Sequence, residues 1–194
     1  MSKTITATTT GPTPRPTAGT LTDIDIVALA KEHLEDGFRM LVARYMKPIY
    51  WHIRRLVVNH EDAEDVTQET FIRIYRSIAQ FKGGSKLSTW IYRIATNEAL
   101  RFLGKQRDTL HIDEDEQDFF ELKADEYVDY ANIAGVRFQR AVLSLPTKQQ
   151  LTFNLRYHDG LEYSEIAAIT GSSEATAKVN YHIAKKKIIE YINS

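Results

Sequence analysis

From Asp23 to Gly104 the apolar side chains recur at helical spacing in every long segment, and no Asn-Gly or Asp-Gly dipeptide separates alternating apolar runs there. A stretch patterned in this way has one apolar stripe per helix to bury and no alternating faces from which to build a sheet, so the expected fold class is all-α. Helices are expected to begin near Asp25, Asp36, Glu61 and Ser88. Pro48 lacks a backbone donor and predicts a kink or break around Lys47. Asn59 is placed to cap the third helix, and the acids after it suit the positive end of the helix dipole. Ala63, Val66, Phe71, Ile74, Ile78 and Phe81 fall on or near one face, which is expected to be buried. Gly83 and Gly84 in "FKGGSK" permit a sharp turn into the fourth helix.

Charge divides the chain more sharply than hydropathy does. The net charge of −1 conceals nine acids against the single Lys123 between residues 109 and 135, whereas residues 25 to 108 and 136 to 194 each sum to +3. Residues 1 to 20, rich in Thr, Pro and Gly, cannot bury enough surface to offset the entropy of ordering. The expected organisation is a disordered tail (1–22), a helical domain (23–107), an acidic linker (108–131) and a second helical domain (132–194). At 43% hydrophobic, the 194 residues suffice for two small packed cores.

Several classes of chemistry are disfavoured. Zero cysteines exclude disulfides, thiolate zinc sites and Cys nucleophiles, and the six His form no HxxxH or HExxH pair, so neither a metal nor a cofactor is expected. No Ser-His-Asp pattern, P-loop or dinucleotide glycine motif points to an enzyme. No apolar run approaches the ~18 residues of a membrane span and no secretory h-region opens the chain, so a cytoplasmic protein without membrane insertion is expected.

In the second domain, Leu145-Pro146 is expected to end one helix, Thr147 to cap the next, and the turn from His158 to Gly160 to end that one. Ser164 then opens a short helix with Ile166, Ala167 and Ile169 inward, followed by a tight turn at Gly171 and a helix capped by Ser172 or Ser173. This is the sequence form of a helix-turn-helix, whose second helix enters the DNA major groove. Thr176, Lys178, Asn180, His182, Lys185 and Lys186 supply donors and charge, while Val179, Ile183 and Ile188 are expected to return to the core. An amphipathic helix with a solvated Lys face is the other reading of the same residues. Glu61, Asp62, Glu64, Asp65 and Glu69 pose a parallel question of metal site, catalytic cluster or docking face, and no His or carbonyl loop is patterned to complete a coordination sphere.

Two longer stretches resolve these alternatives by resemblance. "EDAEDVTQETFIRIYRSIAQFKGGSKLSTWIYRIATNEALRFL" resembles the second conserved region of a sigma-70 family factor of the extracytoplasmic-function group, and "LSLPTKQQLTFNLRYHDGLEYSEIAAITGSSEATAKVNYHIAKKKI" resembles the fourth. The resemblance implies a non-catalytic specificity subunit that binds core RNA polymerase through its β′ clamp helices and β flap, recognises promoter DNA and aids its melting. It implies core contacts from Asp62, Asp65, Gln68, Glu69 and Arg73. For the minus-ten strand it implies Lys82, Lys86, Ser88, Thr89, Trp90, Tyr92, Arg93, Asn97 and Arg101, where aromatic rings and bases alternate as single-strand binding requires. For the minus-thirty-five duplex it implies Ser173, Glu174, Thr176, Lys178, Asn180, Tyr181, His182, Lys185 and Lys186, with Asn180 and His182 departing from the residue types common in the group. An anti-sigma factor that clamps the two domains is also implied, and without it the domains are expected to move independently about a linker whose acids mimic RNA phosphates. A stand-alone helix-turn-helix regulator is the alternative. It would need tight unaided duplex binding, which such modestly basic domains do not favour.

Overall fold

The computed structural model describes residues 21–110 and 133–193. The expectations for the disordered tail and the phosphate-mimicking linker lie almost wholly outside the described residues; Leu21 and Thr22 of the tail and residues 108–110 of the linker are described. The described residues form helices and no strand: α1 (Asp23–Glu32), α2 (Leu34–Val57), α3 (His60–Ser77), α4 (Leu87–Leu110), α5 (Ile133–Leu143), α6 (Thr147–Tyr157), α7 (Tyr163–Thr170) and α8 (Glu174–Asn193), with a single 3₁₀ turn at Ile78–Gln80. Thr22 is the cap of α1, exchanging hydrogen bonds with Asp25 in a capping box, and α4 continues three residues beyond the expected boundary at Arg107.

The α1–α2 corner is set by Gly37. A Cβ there would lie 2.3 Å from the backbone nitrogen of Ala30, so only glycine lets the two helices approach this closely. At the other end of α1, Asp23 accepts from the Tyr45 hydroxyl at 2.6 Å and pairs with Arg44 at 2.8 Å. Pro48 does not end α2, which runs unbroken through it. The lost bond and ring clash cost ~3 kcal/mol. Burial of Leu41, Ile49, Ile53 and Leu56, at about 1.5–3 kcal/mol each, outweighs that cost.

Asn59 caps α3 as expected, accepting from the Asp62 amide at 3.0 Å. Ala63, Val66, Phe71, Ile74 and Ile78 are buried, with Phe81 half-buried beside them. Thr147 is not a cap. Pro146 holds that position without a side-chain bond, in extended backbone at φ −53° and ψ 141°, and Thr147 is the first helical residue. Gly171, at φ +66°, ends α7 in the left-handed region and turns the chain into α8, where the Ser173 hydroxyl accepts from the Thr176 amide at 3.0 Å.

The two helical groups do not stand apart. α4 packs on α7 and α2 on α6, and Leu143, Leu151, Leu155, Leu161, Ile166, Ile169 and Ala177 join the same buried cluster as Ile53, Leu87, Ile91 and Leu103. A smaller core of Ala141, Val142, Leu145, Phe153, Ala184 and Ile188 holds α5, α6 and α8 together.

Gly37→Val is expected to lower unfolding stability by about 3 kcal/mol through overpacking at Ala30. Gly104→Ala, where the added Cβ meets open space, is expected to be neutral or slightly stabilising. Urea unfolding followed by circular dichroism compares the two.

Candidate functional site

Three surfaces gather the residues singled out by sequence. On α3 the exposed side is broad, with Asp65 and Gln68 in solvent. Asp62, Glu69 and Arg73 lean towards α4: the Asp62 carboxylate accepts from Gln106 at 3.2 Å, and Arg73 pairs with Glu98 at 2.7 Å and with Glu69 at 3.4 Å. Arg101 joins the same network through Glu98 and, at 4.0 Å, Glu69. Two of the singled-out cations are thus shared around Glu98, a nearly buried carboxylate that sequence reasoning did not pick out. Its position three residues before Arg101 was the available signal.

The opposite flank of α3 forms a wall of an apolar groove against α2. This groove, of about 1340 Å³, is lined by Phe38, Met46, Tyr50, Phe71, Ile72 and Tyr75, with Glu64, Gln68 and Arg76 at its polar margin. Met46, Ile72 and Tyr75 are exposed there.

Along α4 and the loop before it, Lys82, Lys86, Arg93, Asn97 and Arg101 are exposed, and Ser88 and Trp90 are half-buried. Trp90 leans on Phe81 with ring centroids 5.2 Å apart. Thr89 and Tyr92 depart from the expectation of a DNA-facing surface, since both are buried. Helical phase turns them inward, Thr89 onto α7 and Tyr92 onto His52, whose ring centroid lies 5.1 Å away. Burial and the neighbouring Asp159 carboxylate push the Tyr92 phenol well above its ordinary range. Beside the loop, a cavity of about 440 Å³ is lined by Ile24, Val27, Lys31, Phe81, Lys82 and Lys86.

On α8 the core-facing residues are Ala177, Ala184 and Ile188, with Tyr181 half-buried and stacked on Phe153 at 5.8 Å. Val179 and Ile183 do not return to the core: they are 56% and 38% exposed. Small alanines on the other face allow α8 to cross closely, and that face takes the buried position. Ser173, Glu174, Thr176, Lys178, His182, Lys185 and Lys186 are exposed and Asn180 is half-exposed. Lys178 pairs with Glu174 at 2.8 Å, which raises its ammonium above the ordinary value, and also sits over the Tyr163 ring.

Between the two helical groups, Asp159 enters from the turn after α6. It accepts from Arg55 at 2.7 Å and contacts Nδ1 of His52 at 3.1 Å, with only 4% of its side chain exposed. An ionised carboxylate only accepts, so Nδ1 donates, and in the neutral ring Nε2 then accepts from the Thr96 hydroxyl at 2.9 Å. Burial alone would push the Asp159 carboxyl up; the hydrogen bonds and charges of His52 and Arg55 outweigh it and hold the group below the ordinary carboxylate range. Glu165, on α7, makes a second contact with Lys86 at 3.1 Å and with the Thr89 hydroxyl at 3.2 Å. Among the described residues no three His, Asp or Glu side chains gather as metal ligands, and no helix is long and apolar enough to cross a membrane.

Comparison with known proteins places these surfaces in a family context. Residues 41–109 match the model for sigma-70 region 2, and residues 135–188 match that for sigma-70 region 4. The chain is 33% identical over 178 residues to the ECF RNA polymerase sigma-E factor of Escherichia coli K12, covering 87% of this chain and 93% of that protein. It is 29% identical over 164 residues to the ECF sigma factor SigW of Bacillus subtilis, covering 79% and 88%. Among solved structures, it resembles CnrH in complex with the cytosolic domain of CnrY, with a TM-score of 0.67, 19% identity and coverage of 88% and 97%. It also resembles the sigma factor RpoE from Bartonella quintana in complex with the anti-sigma factor NepR, with a TM-score of 0.65, 20% identity and coverage of 80% and 96%.

Because the Asp159 carboxyl is held low in the folded protein, the unfolded chain binds the proton first as pH falls. The stabilisation is therefore complete above about pH 5 and is lost as pH drops through the ordinary carboxylate range. Asp159→Asn is expected to be less stable than the parent by about 2 kcal/mol at neutral pH, with the gap narrowing towards about pH 3. Urea midpoints across that range test it.

Proposed function

This chain belongs to the sigma-70 family, in its extracytoplasmic-function group, and we propose from that premise a residue-level division of labour for an initiation factor that directs core RNA polymerase to promoters. The first domain docks on the β′ clamp helices through the exposed side of α3 centred on Asp65. Asp62, Gln68, Glu69 and Arg73 flank that centre, and the groove between α2 and α3 receives apolar side chains of the same partner. The single observation that carries this reading is the position of Asp65: it is exposed, between the charged network that α3 shares with α4 on one flank and the apolar groove on the other. A carboxylate there can accept charge-assisted bonds from a partner's Arg or Lys while the groove excludes water around them.

The loop between α3 and α4 and the stripe Trp90, Arg93, Asn97 and Arg101 hold the melted minus-ten strand, with Lys82, Lys86 and Ser88 on its backbone. The cavity beside the loop offers Phe81 and three lysines, Lys31, Lys82 and Lys86, to an unstacked base. Thr89 and Tyr92 support this surface from beneath. The second domain reads the minus-thirty-five duplex with the N-terminal half of α8: Ser173, Thr176 and Asn180 face base edges, while Lys178, Lys185 and Lys186 meet phosphates. Val179 and Ile183 join them, since exposed apolar groups on a recognition helix suit thymine methyls. The factor supplies specificity, and the polymerase supplies the chemistry of chain synthesis. It acts in the cytoplasm, and an anti-sigma factor of the kind bound to the RpoE neighbour regulates it. The stand-alone regulator is not favoured, because both family regions are present in order.

Asp65→Arg is expected to abolish co-purification with core RNA polymerase while leaving the helical circular-dichroism spectrum unchanged. A folded variant that still binds core sinks the assignment of α3. Val179→Ala is expected to weaken holoenzyme binding to its promoters roughly fourfold, the worth of burying one of its two γ-methyl groups against a thymine methyl. Replacing thymine by uracil in the minus-thirty-five element should then remove the difference between the two proteins.

A further inference from the structure

A cavity of about 220 Å³ lies between the end of α2 and the helices α5 and α6, apart from the surfaces assigned above. Val58, Phe138, Val142 and Leu143 give it apolar walls, and Arg54, Arg55, Gln139, Asn154 and His158 bring polar groups to it. The Asn154 side chain is fully buried there, and neither its Oδ1 nor its Nδ2 has a hydrogen-bond partner. Turning the amide over cannot cure this, because both of its ends are unmatched. Gln139 Oε1 and Arg55 Nε are buried and unmatched in the same way. Buried polar groups are paired in the great majority of cases, so unmatched ones gathered around a single cavity point to a ligand. We propose that this cavity binds a single aromatic ring carrying one carboxylate and one hydroxyl, a ligand of the hydroxybenzoate class.

Each part of that ligand answers a feature of the walls. A cavity of about 150 Å³ accepts benzene, so this one has room for a ring with two small substituents. The rings of Phe138 and His158 stand 6.4 Å apart at 68°, an edge-to-face geometry that a third aromatic ring can extend. Burial and the Arg55 charge push the His158 imidazole down, so it is a neutral wall at neutral pH. Among the described residues two guanidiniums and no carboxylate line the cavity, which favours an anion, and Arg55 Nε and Asn154 Nδ2 are donors open to it. Asp159 already holds Arg55, so a singly charged acid suits the site better than a phosphate. Gln139 Oε1 and Asn154 Oδ1 would repel a carboxylate, and it is the hydroxyl that can donate to them. One wall is held under strain. Val58 sits at φ 66° and ψ −45°, and across it the Asn59 amide donates to the Val57 carbonyl at 2.8 Å, a tight γ-turn that β-branched residues seldom adopt. Strained positions of this kind gather at ligand clamps.

Titration of the full chain, labelled at its Val and Leu methyls, with 4-hydroxybenzoate tests the site by nuclear magnetic resonance. Saturable ring-current shifts are expected at the methyls of Val58, Val142 and Leu143, while those of Val179, exposed on α8, stay still. The expected Kd is on the order of 0.1 mM, ordinary for a ligand of about ten non-hydrogen atoms. Benzoate and phenol, each lacking one polar end, are expected to bind about tenfold more weakly. Asn154→Leu is close in size and is expected to weaken binding by at least about tenfold. Without ligand it is expected to raise the urea midpoint, because it removes an unmatched amide from the interior. Absence of shifts in the parent protein at millimolar ligand overturns the site, a result that depends on no variant. Shifts that reach Val179 equally, or benzoate and phenol binding as well as 4-hydroxybenzoate, overturn it too. An Asn154→Leu chain that binds unchanged, or that unfolds at lower urea than the parent, assigns the amide to the fold alone and has the same consequence.

Discussion

The arrangement of this protein depends on a buried carboxylate at the tip of a turn. Taking Asp159 out of water costs several kcal/mol, and that cost is tolerable only because two donors from another part of the chain meet it. The contact is therefore specific before it is strong. A domain displaced by a few ångströms would strand an unpaired charge in an apolar seam. The same turn is fastened locally by the Arg156 guanidinium donating to the Leu161 carbonyl at 2.8 Å, so Asp159 is presented by a braced element.

Around that contact, each long helix divides its faces among different partners. α3 gives its apolar stripe to the core, one flank to a charged network with α4 and the other to an open groove with α2. α4 carries exposed bases on one face and buries Tyr92, Thr96 and Ala99 on the other. Because Arg73, Arg101, Glu69 and Glu98 tie α3 to α4, the surface proposed for polymerase docking and the one proposed for the melted strand share one support. That support gives a physical route by which docking on one surface can alter the other.

The helical content was legible because apolar periodicity is repeated over several turns, and the starts of the four helices of the first domain fall within two residues of their expected places. The errors have a common origin in helical phase. α8 has apolar residues on two faces, and only the closeness allowed by Ala177 and Ala184 decides which is buried, leaving Val179 and Ile183 outside. Thr89 and Tyr92 sit within a run of aromatic and polar residues that reads as a binding surface, yet every third or fourth position of such a run must face the core. Of the kink or break expected around Lys47, the break does not occur, because propensity counts the bond lost at Pro48 and omits the packing on either side.

By itself the sequence determined the all-helical class, a charge pattern that separates two mildly basic stretches, and a resemblance to the family to which the chain belongs. Those properties follow from local spacing and composition, which a linear chain displays. The tertiary structure alone decided that Asp159 meets His52 and Arg55 across a separation of more than a hundred residues. It also decided that Glu165 meets Lys86 and that Glu98 gathers two arginines. Such pairings depend on which faces the packed core leaves available, and no local pattern records that choice.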